Sequence, residues 1–266
     1  AARRELRGQT GVGTAARSGT GAAAAQMFAD AGAEVVATQN VTPAVSSFRR
    51  VSMNLADPAS IAAVVKEMPA KIDFLVNIAG LGADGAEPEK ILTVNFTGTR
   101  LFTESLLDRV SPKGCVLTTS SIASRYWRRD IEIVKQFMAI RDFGAVRAFW
   151  DGLGQEHQAA YNLCKQAVTV WTFMMASKHA AGGPRFNVVS PGFTDTPMLQ
   201  KALANANPTV RALALANPNM AKPEDVAPVY LALCSDAFRV VNGGDIAADS
   251  GLFANKAMED FKLGDA

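Results

Sequence analysis

Thr14-Ala15-Ala16-Arg17-Ser18-Gly19-Thr20-Gly21 leads into the alanine-rich stretch Gly21 to Ala31, and after Gly32 comes Ala33-Glu34-Val35-Val36-Ala37-Thr38. The first segment is a turn of small residues, the second has the composition of a helix, and the third reads as a short buried strand. A helix that begins in such a turn leaves its first amides free beneath a closely approaching backbone, which suits an anion. A turn of small residues without a ligand is the plainer account of the same stretch.

The alternation continues outward from there. Asp57 to Met68 reads as a helix with Asp57 as N-cap and Pro58 at its first position. Ile72 to Asn77 is a strand, Asn95 to Arg109 a helix, Cys115 to Thr119 a strand and Tyr161 to His179 a long helix. Phe186 to Val189, Glu224 to Cys234 and Gly244 to Ala248 then give strand, helix and strand. Strands alternating with helices predict an α/β fold, a doubly wound parallel sheet with helices on both faces. No repeat or low-complexity linker divides the chain, so a single domain over residues 1–266 is expected.

One stretch breaks the rhythm. About forty residues separate Ser121 from Tyr161, more than a crossover needs. Ile133, Val134, Phe137 and Met138 share a helical face, Gly144 interrupts, and Val146, Phe149 and Trp150 follow. This predicts an inserted helical hairpin over about 125–157, with three roles open: lining a substrate pocket, forming a subunit interface, or packing on the core. The tail 252–266, with Phe253, Met258 and Phe261, is expected to fold over the pocket or a neighbouring subunit.

Composition excludes several classes. A net charge of +2 gives no reason to expect nucleic acid or an anionic membrane as partner. Cys115, Cys164 and Cys234 are odd in number and far apart in sequence, with no CxxC motif, which points to a reducing cytoplasm. His157 and His179 have no cysteine near enough to complete a zinc set, so no metal is expected. His157, with no acidic partner in reach, reads as a surface residue. The longest apolar run, Ala167 to Ala176, is about ten residues against the ~20 of a membrane span, and the N-terminus lacks the apolar core of a secretory signal.

The candidate chemistry is carried by Tyr161 and Lys165, four residues apart and therefore on one helical face. A free tyrosine ionises near pH ~10, and a base working near neutrality needs that lowered by roughly 2 to 3 units. A cation ~4 Å away at an effective dielectric of ~20 supplies about 4 kcal/mol, against about 1.4 kcal/mol per unit. One lysine is enough, although such a pair also arises by chance in many helices.

Taken in order, the motifs resemble the short-chain dehydrogenase/reductase family over roughly residues 14 to 251. Thr14 to Gly21 stands for TGxxxGxG, Asn77-Ile78-Ala79-Gly80 for NNAG, and Asn95 for the helix-borne asparagine. Ser121 is the second serine of the Ser-Ser element, Tyr161 to Lys165 is YxxxK, and Pro191 to Pro197 is the PG…T element. Pro223 to Ala227 and Asn242 to Gly251 match the closing elements. The long insertion, the Lys71 to Gly80 stretch and Val170-Trp171 are similar to the branch holding bacterial 3α-hydroxysteroid dehydrogenase/carbonyl reductase and coniferyl alcohol dehydrogenase, leaning toward the latter.

The resemblance implies a Rossmann-type sheet and reversible hydride transfer between a nicotinamide and an alcohol or ketone. Tyr161 would be the general acid/base, Lys165 would lower its pKa and hold the nicotinamide ribose, and Ser121 would bind the substrate oxygen. Asn95 would hold a relay water, or alternatively kink its helix and satisfy backbone groups. Cofactor contacts are expected along Ala15, Ser18, Gly19, Thr20 and Gly21, at Gln39, Asn54 and Leu55, at Asn77, Ala79 and Gly80, and at Pro191, Gly192, Thr194 and Thr196, besides Tyr161 and Lys165. Cys164 is expected to pack as a small hydrophobe. Apolar walls from Phe137, Met138, Phe149, Trp150, Phe193 and Met198 would suit a ring-containing substrate, with core packing as the alternative for each.

Three positions depart from the family pattern. Ala15 replaces the loop's first glycine, Gln39 stands where an acid would bind the ribose 2′-hydroxyl, and Asn54 replaces an adenine-binding aspartate. Leu6 to Val12 is also a poor first strand. NAD is the favoured cofactor and NADP stays open. An oxidoreductase acting on a small molecule, assembled as a dimer or tetramer, is the leading reading; a catalytically silent nucleotide sensor on the same fold is the alternative.

Overall fold

The computed structural model describes residues 6–14, 18–39, 48–83, 86–205, 211, 214 and 220–261, with the backbone alone at Gln39, Lys256 and 259–261. Among the described residues seven strands form one parallel sheet, β1 Thr10–Thr14, β2 Glu34–Gln39, β3 Arg49–Ser52, β4 Ile72–Asn77, β5 Val110–Thr119, β6 Arg185–Pro191 and β7 Asp245–Ala248. Their order is β3-β2-β1-β4-β5-β6-β7, so the winding reverses between β1 and β4. Ligands in open sheets of this kind bind beyond the strands' carboxyl ends at that reversal.

The first strand corrects the sequence reading, lying at Thr10–Thr14 rather than Leu6 to Val12. Its composition is poor for a strand because its partners dictate it. A Cβ on Gly11 would lie 1.9 Å from a ring carbon of Phe74 on β4. That ring fills the missing side chain's space and stacks on Phe28 at 4.6 Å between centroids.

One face of the sheet is covered by helices α1 Gly19–Asp30 and α9 Pro223–Cys234 over a core that includes Phe28, Phe74, Leu117, Val189 and Tyr230. The other carries α2 Pro58–Glu67, α4 Thr99–Leu106 and α7 Ala159–His179 over a core that includes Ile61, Leu75, Phe102, Val116 and Trp171. The helix expected from Asn95 begins earlier, as α3 Pro88–Leu92, and passes through a π-helical turn, Thr93–Gly98, into α4. Among the described residues no helix is long and apolar enough to cross a membrane.

The insertion is a helical pair, α5 Ile131–Ala139 and α6 Ala145–Leu153. Of the three roles open to it, core packing fits its apolar residues. Phe137 is fully buried between Phe96 at 5.1 Å and Phe149 at 5.6 Å, and Val134, Val146 and Trp150 join the same cluster. The buried Arg100 guanidinium, lying 5.0 Å over the Phe96 ring, donates to the carbonyls of Met138 and Ile140 and so fastens the end of α5. Burial pulls that guanidinium's pKa down from its usual value.

Candidate active site

A cleft of about 1130 Å³ opens along the carboxyl ends of β1, β4, β5 and β6. Thr14 ends β1, and its hydroxyl accepts hydrogen bonds from the amides of Ile78 (2.9 Å) and Ala79 (2.8 Å), which follow β4. This one side chain pins the two strand ends where the winding reverses. Replacing it with valine leaves both amides without that acceptor and is expected to cost about 2 kcal/mol of stability, read as a lower denaturation midpoint.

The loop after β1 ends at Gly19, whose φ of +57° is left-handed and favours glycine. Helix α1 starts there, two residues earlier than the sequence suggests, with Ser18 as N-cap but no side-chain capping bond and no acidic residue in its first turn. The cleft is lined here by Ser18, Gly19, Thr20 and Gly21, and near the ends of β2 and β3 by Thr38, Met53, Asn54 and Leu55. Asn54 Oδ1 accepts from the amide of Ala56 at 3.0 Å and so shapes its own turn. Ala15 lies outside the described residues, as does the side chain of Gln39.

Ser121, Tyr161 and Lys165 meet on one wall. Tyr161 and Lys165 stand on the same face of α7, and Ser121 caps the short 3₁₀ turn Ile122–Ser124 at the end of β5. Its hydroxyl accepts from the Ala123 amide at 3.2 Å and acts on the Tyr161 phenol so as to lower its pKa. Lys165, 5 % exposed, donates to the Thr119 carbonyl at 2.8 Å, and its ammonium lies 5.7 Å from the Tyr161 ring centroid. Thr119 in turn shares a 2.7 Å hydrogen bond with the buried Tyr230 hydroxyl, and Ser120 bonds the Lys165 carbonyl and Thr169.

The electrostatics differ from the sequence expectation. Burial pushes the Tyr161 phenol up to about 12, with the Ser121 hydrogen bond opposing, and burial pulls the Lys165 ammonium down. With its ammonium directed at the Thr119 carbonyl, Lys165 does not offset the phenol's desolvation within the protein alone.

Two expected residues stand outside the cleft. Asn77 is 2 % exposed and donates to the hydroxyls of Thr103 (2.9 Å) and Thr118 (3.3 Å), so its side chain faces the covering helix α4. Asn95 is equally buried in the π-helical turn, and its amide clamps the Leu81 backbone, accepting from its N–H at 2.7 Å and donating to its carbonyl at 2.9 Å. Of the two roles open to Asn95, this geometry suits the backbone-satisfying one. A Cβ on Gly80 would come within 3.2 Å of Asn95 Oδ1 and 3.8 Å of Lys165 Nζ, so this clamp abuts the cluster. Cys164, fully buried, packs beneath with its thiol on the Tyr161 carbonyl, and burial raises it to about 11.

The far wall follows β6. Pro191, Gly192, Thr194 and Thr196 all line the cleft, and a Cβ on Gly192 would sit 2.8 Å from that of Asp249, which holds this position to glycine. Phe193 and Met198, the latter on α8 Pro197–Asn205, line it as expected, whereas Phe137 and Trp150 belong to the core cluster and Met138 and Phe149 pack against it. Sequence reasoning missed Ile122, Tyr126 and Gln158. Gln158 was legible, since it lies one turn before Tyr161 on the same helical face. Leu252 and Phe253 open α10 Leu252–Phe261 and also line the cleft, whereas Met258 is exposed and the Phe261 side chain and residues 262–266 of the expected tail lie outside the described residues. Asp249 fixes Leu252 and Phe253 by accepting from the amides of Gly251 and Phe253.

A doubly wound sheet with its cleft at the reversal, and a serine, tyrosine and lysine on the cleft wall, is the arrangement of an enzyme of the dinucleotide-binding type. Residues 10–130 match the family model described as short chain dehydrogenase, and residues 149–253 match one described as enoyl-(acyl carrier protein) reductase. The chain belongs to the short-chain dehydrogenase/reductase family of oxidoreductases. It is 28 % identical to coniferyl-alcohol dehydrogenase of Pseudomonas sp. (strain HR199 / DSM 7063), over 91 % of this chain and 95 % of that one. It is 29 % identical to 3-alpha-hydroxysteroid dehydrogenase/carbonyl reductase of Comamonas testosteroni, over 73 % and 78 % of the two chains. The crystal structure of 3-alpha-hydroxysteroid dehydrogenase from Pseudomonas sp. B-0831 complexed with NADH superposes with a TM-score of 0.79 at 25 % identity, covering 93 % of this chain and 98 % of that one.

Proposed function

We propose that the chain is an NAD-dependent alcohol dehydrogenase or ketone reductase for a hydrophobic, ring-containing substrate, with Tyr161 as the proton-transfer group. The observation that carries this reading is Ser121, Tyr161 and Lys165 together on a cleft wall whose substrate side is apolar. Ile122, Tyr126, Phe193, Met198 and Phe253 supply that surface. The likeness to dehydrogenases of coniferyl alcohol and of a hydroxysteroid supports a ring-bearing alcohol.

The residues fit a dinucleotide. The N-terminus of α1 offers uncapped amides beside Gly19 and Gly21 without a competing acid, as a pyrophosphate requires. Among the described residues, Thr38, Met53, Asn54 and Leu55 on this wall carry no cation for a 2′-phosphate, which favours NAD; similar solved structures carry NADH or NADP, so NADP stays open. Pro191, Gly192, Thr194 and Thr196 would hold the nicotinamide end opposite Lys165. When bound, the cofactor supplies the hydride acceptor or donor and a positive ring in its oxidised form.

Ser121 then holds the substrate oxygen, and Tyr161 takes the hydroxyl proton in oxidation or returns it in reduction. Lys165, held by the Thr119 carbonyl, adds positive potential at the phenol's edge. Asn95 positions the Leu81 backbone and the adjoining Gly80 against Lys165.

The chain's own tuning of Tyr161 sets the pH dependence. Because burial raises the phenol to about 12, the acid form is present through the physiological range and ketone reduction proceeds without titrating it. Alcohol oxidation draws on the phenolate, so its kcat/KM is expected to climb about tenfold per pH unit below the tyrosine's pKa. A flat oxidation profile between about pH 6 and pH 9 counts against Tyr161 as the base. The linkage has the matching sign for stability. A folded value above the ordinary 10.0 means stabilisation present below pH 10 and lost as pH rises toward about 12.

The direct test follows reduced-nicotinamide absorbance with NAD and NADP over aromatic, alicyclic and steroid alcohols. Turnover with NAD on a ring-bearing alcohol is the expected result. Cofactor binding without turnover on any alcohol would sink the reading.

A further inference from the structure

The proposed reaction does not use Cys115 or Cys234. The two are 119 residues apart in sequence, yet their sulfurs lie 3.2 Å apart across the interface between β5 and the C-terminal end of α9. Both are free thiols. Cys115 is centred in the sheet, paired with Phe74 on β4 and Arg185 on β6. Arg185 Nη2 donates to the Leu233 carbonyl at 2.9 Å, which holds the residue before Cys234 against the sheet. The pair is therefore positioned by an independent bond and not merely by close packing.

We propose that Cys115 and Cys234 form a redox pair that closes to a disulfide on exposure to a peroxide. The sulfurs need to approach by only about 1.2 Å to reach bonding distance. Both residues are buried, and Cys234, 9 % exposed against 1 % for Cys115, is the less buried of the two, so the first step is assigned to its sulfur. Burial holds the Cys234 thiol well above its usual range, so the thiol gives up its proton as the sulfur attacks one peroxide oxygen; the O–O bond breaks, the departing oxygen leaves as water with that proton, and a sulfenic acid remains. The Cys115 sulfur then attacks that sulfur, the S–O bond breaks, and water departs with the remaining proton. Two thiols are oxidised by two electrons in total, and one peroxide is reduced to two waters.

The link would tie α9 to the sheet. The residues before α9 already brace the cleft, since Ala221 donates to the Phe193 carbonyl at 3.2 Å and accepts from the Asp195 amide at 2.8 Å. Closing the pair would fix this helix without touching Ser121, Tyr161 or Lys165.

The test treats the full chain with hydrogen peroxide, blocks remaining thiols, and maps peptides by mass. A Cys115–Cys234 cross-link that dithiothreitol reverses is expected, with Cys164 left free. The melting temperature should rise by about 5 °C in the oxidised protein, and Cys234→Ser and Cys115→Ala should each abolish both changes. Recovery of Cys234 as a sulfinic or sulfonic acid with Cys115 free would overturn the proposal. So would two unmodified thiols under conditions that oxidise free cysteine, or a cross-link without a rise in melting temperature.

Discussion

Tyr161→Phe is expected to lower kcat about 10³-fold, equivalent to about 4 kcal/mol of lost transition-state stabilisation, with the affinity for the dinucleotide nearly unchanged. The substitution removes one oxygen and keeps the ring, so the packing of α7 is preserved. Lys165 stays on the Thr119 carbonyl, because that bond does not involve the phenol. What is lost is the phenol hydroxyl, which in the proposed reaction carries the proton. Ser121→Ala should reduce kcat less, since the phenol can still bond the substrate oxygen. Steady-state rates with saturating cofactor, beside a direct cofactor titration, check both. A Tyr161→Phe protein retaining more than a tenth of its activity would remove Tyr161 from the chemistry.

Phe137→Ala is expected to destabilise the fold by about 3 to 5 kcal/mol and to lower the melting temperature by about 10 °C. Phe137 is fully buried, packs against Phe96 and Phe149, and through Phe96 reaches the edge of Trp171. Its removal leaves a cavity at the point where the inserted pair meets the body of the domain. Because it does not line the cleft, kcat/KM measured well below the melting temperature should be preserved within about threefold. Scanning calorimetry and kinetics on the same preparation separate this account from one in which the insertion walls the substrate pocket. A protein as stable as the parent with a large loss of kcat/KM would favour the pocket.

Much of this was legible because neighbouring residues carry it. Asp57 and Pro58 announce α2, and Asp57 accepts from the Ala59 amide as an N-cap should. Tyr161 and Lys165 share a face by helical spacing alone, and Gln158 could have been found by counting one turn back. β1 reads poorly in sequence in part because Gly11 is dictated by Phe74, a residue more than sixty positions away. The roles of Asn77 and Asn95 were harder still. Nothing adjacent to either reveals that Thr103, Thr118 and the Leu81 backbone take up their side-chain hydrogen bonds.

By itself the sequence determined the alternation of strands and helices and the shared helical face of Tyr161 and Lys165, because hydrophobic period and helical spacing act over a few residues, while Ser121 entered through the family resemblance. The tertiary structure decided where the buried polar and aromatic groups find partners. It placed the insertion's aromatic residues in the core, brought the Phe253 tail to the cleft, and set Cys115 beside Cys234. These contacts depend on strand order and on how each helix lies across the sheet. Strand order is settled by burying two apolar faces at once, which no local pattern records.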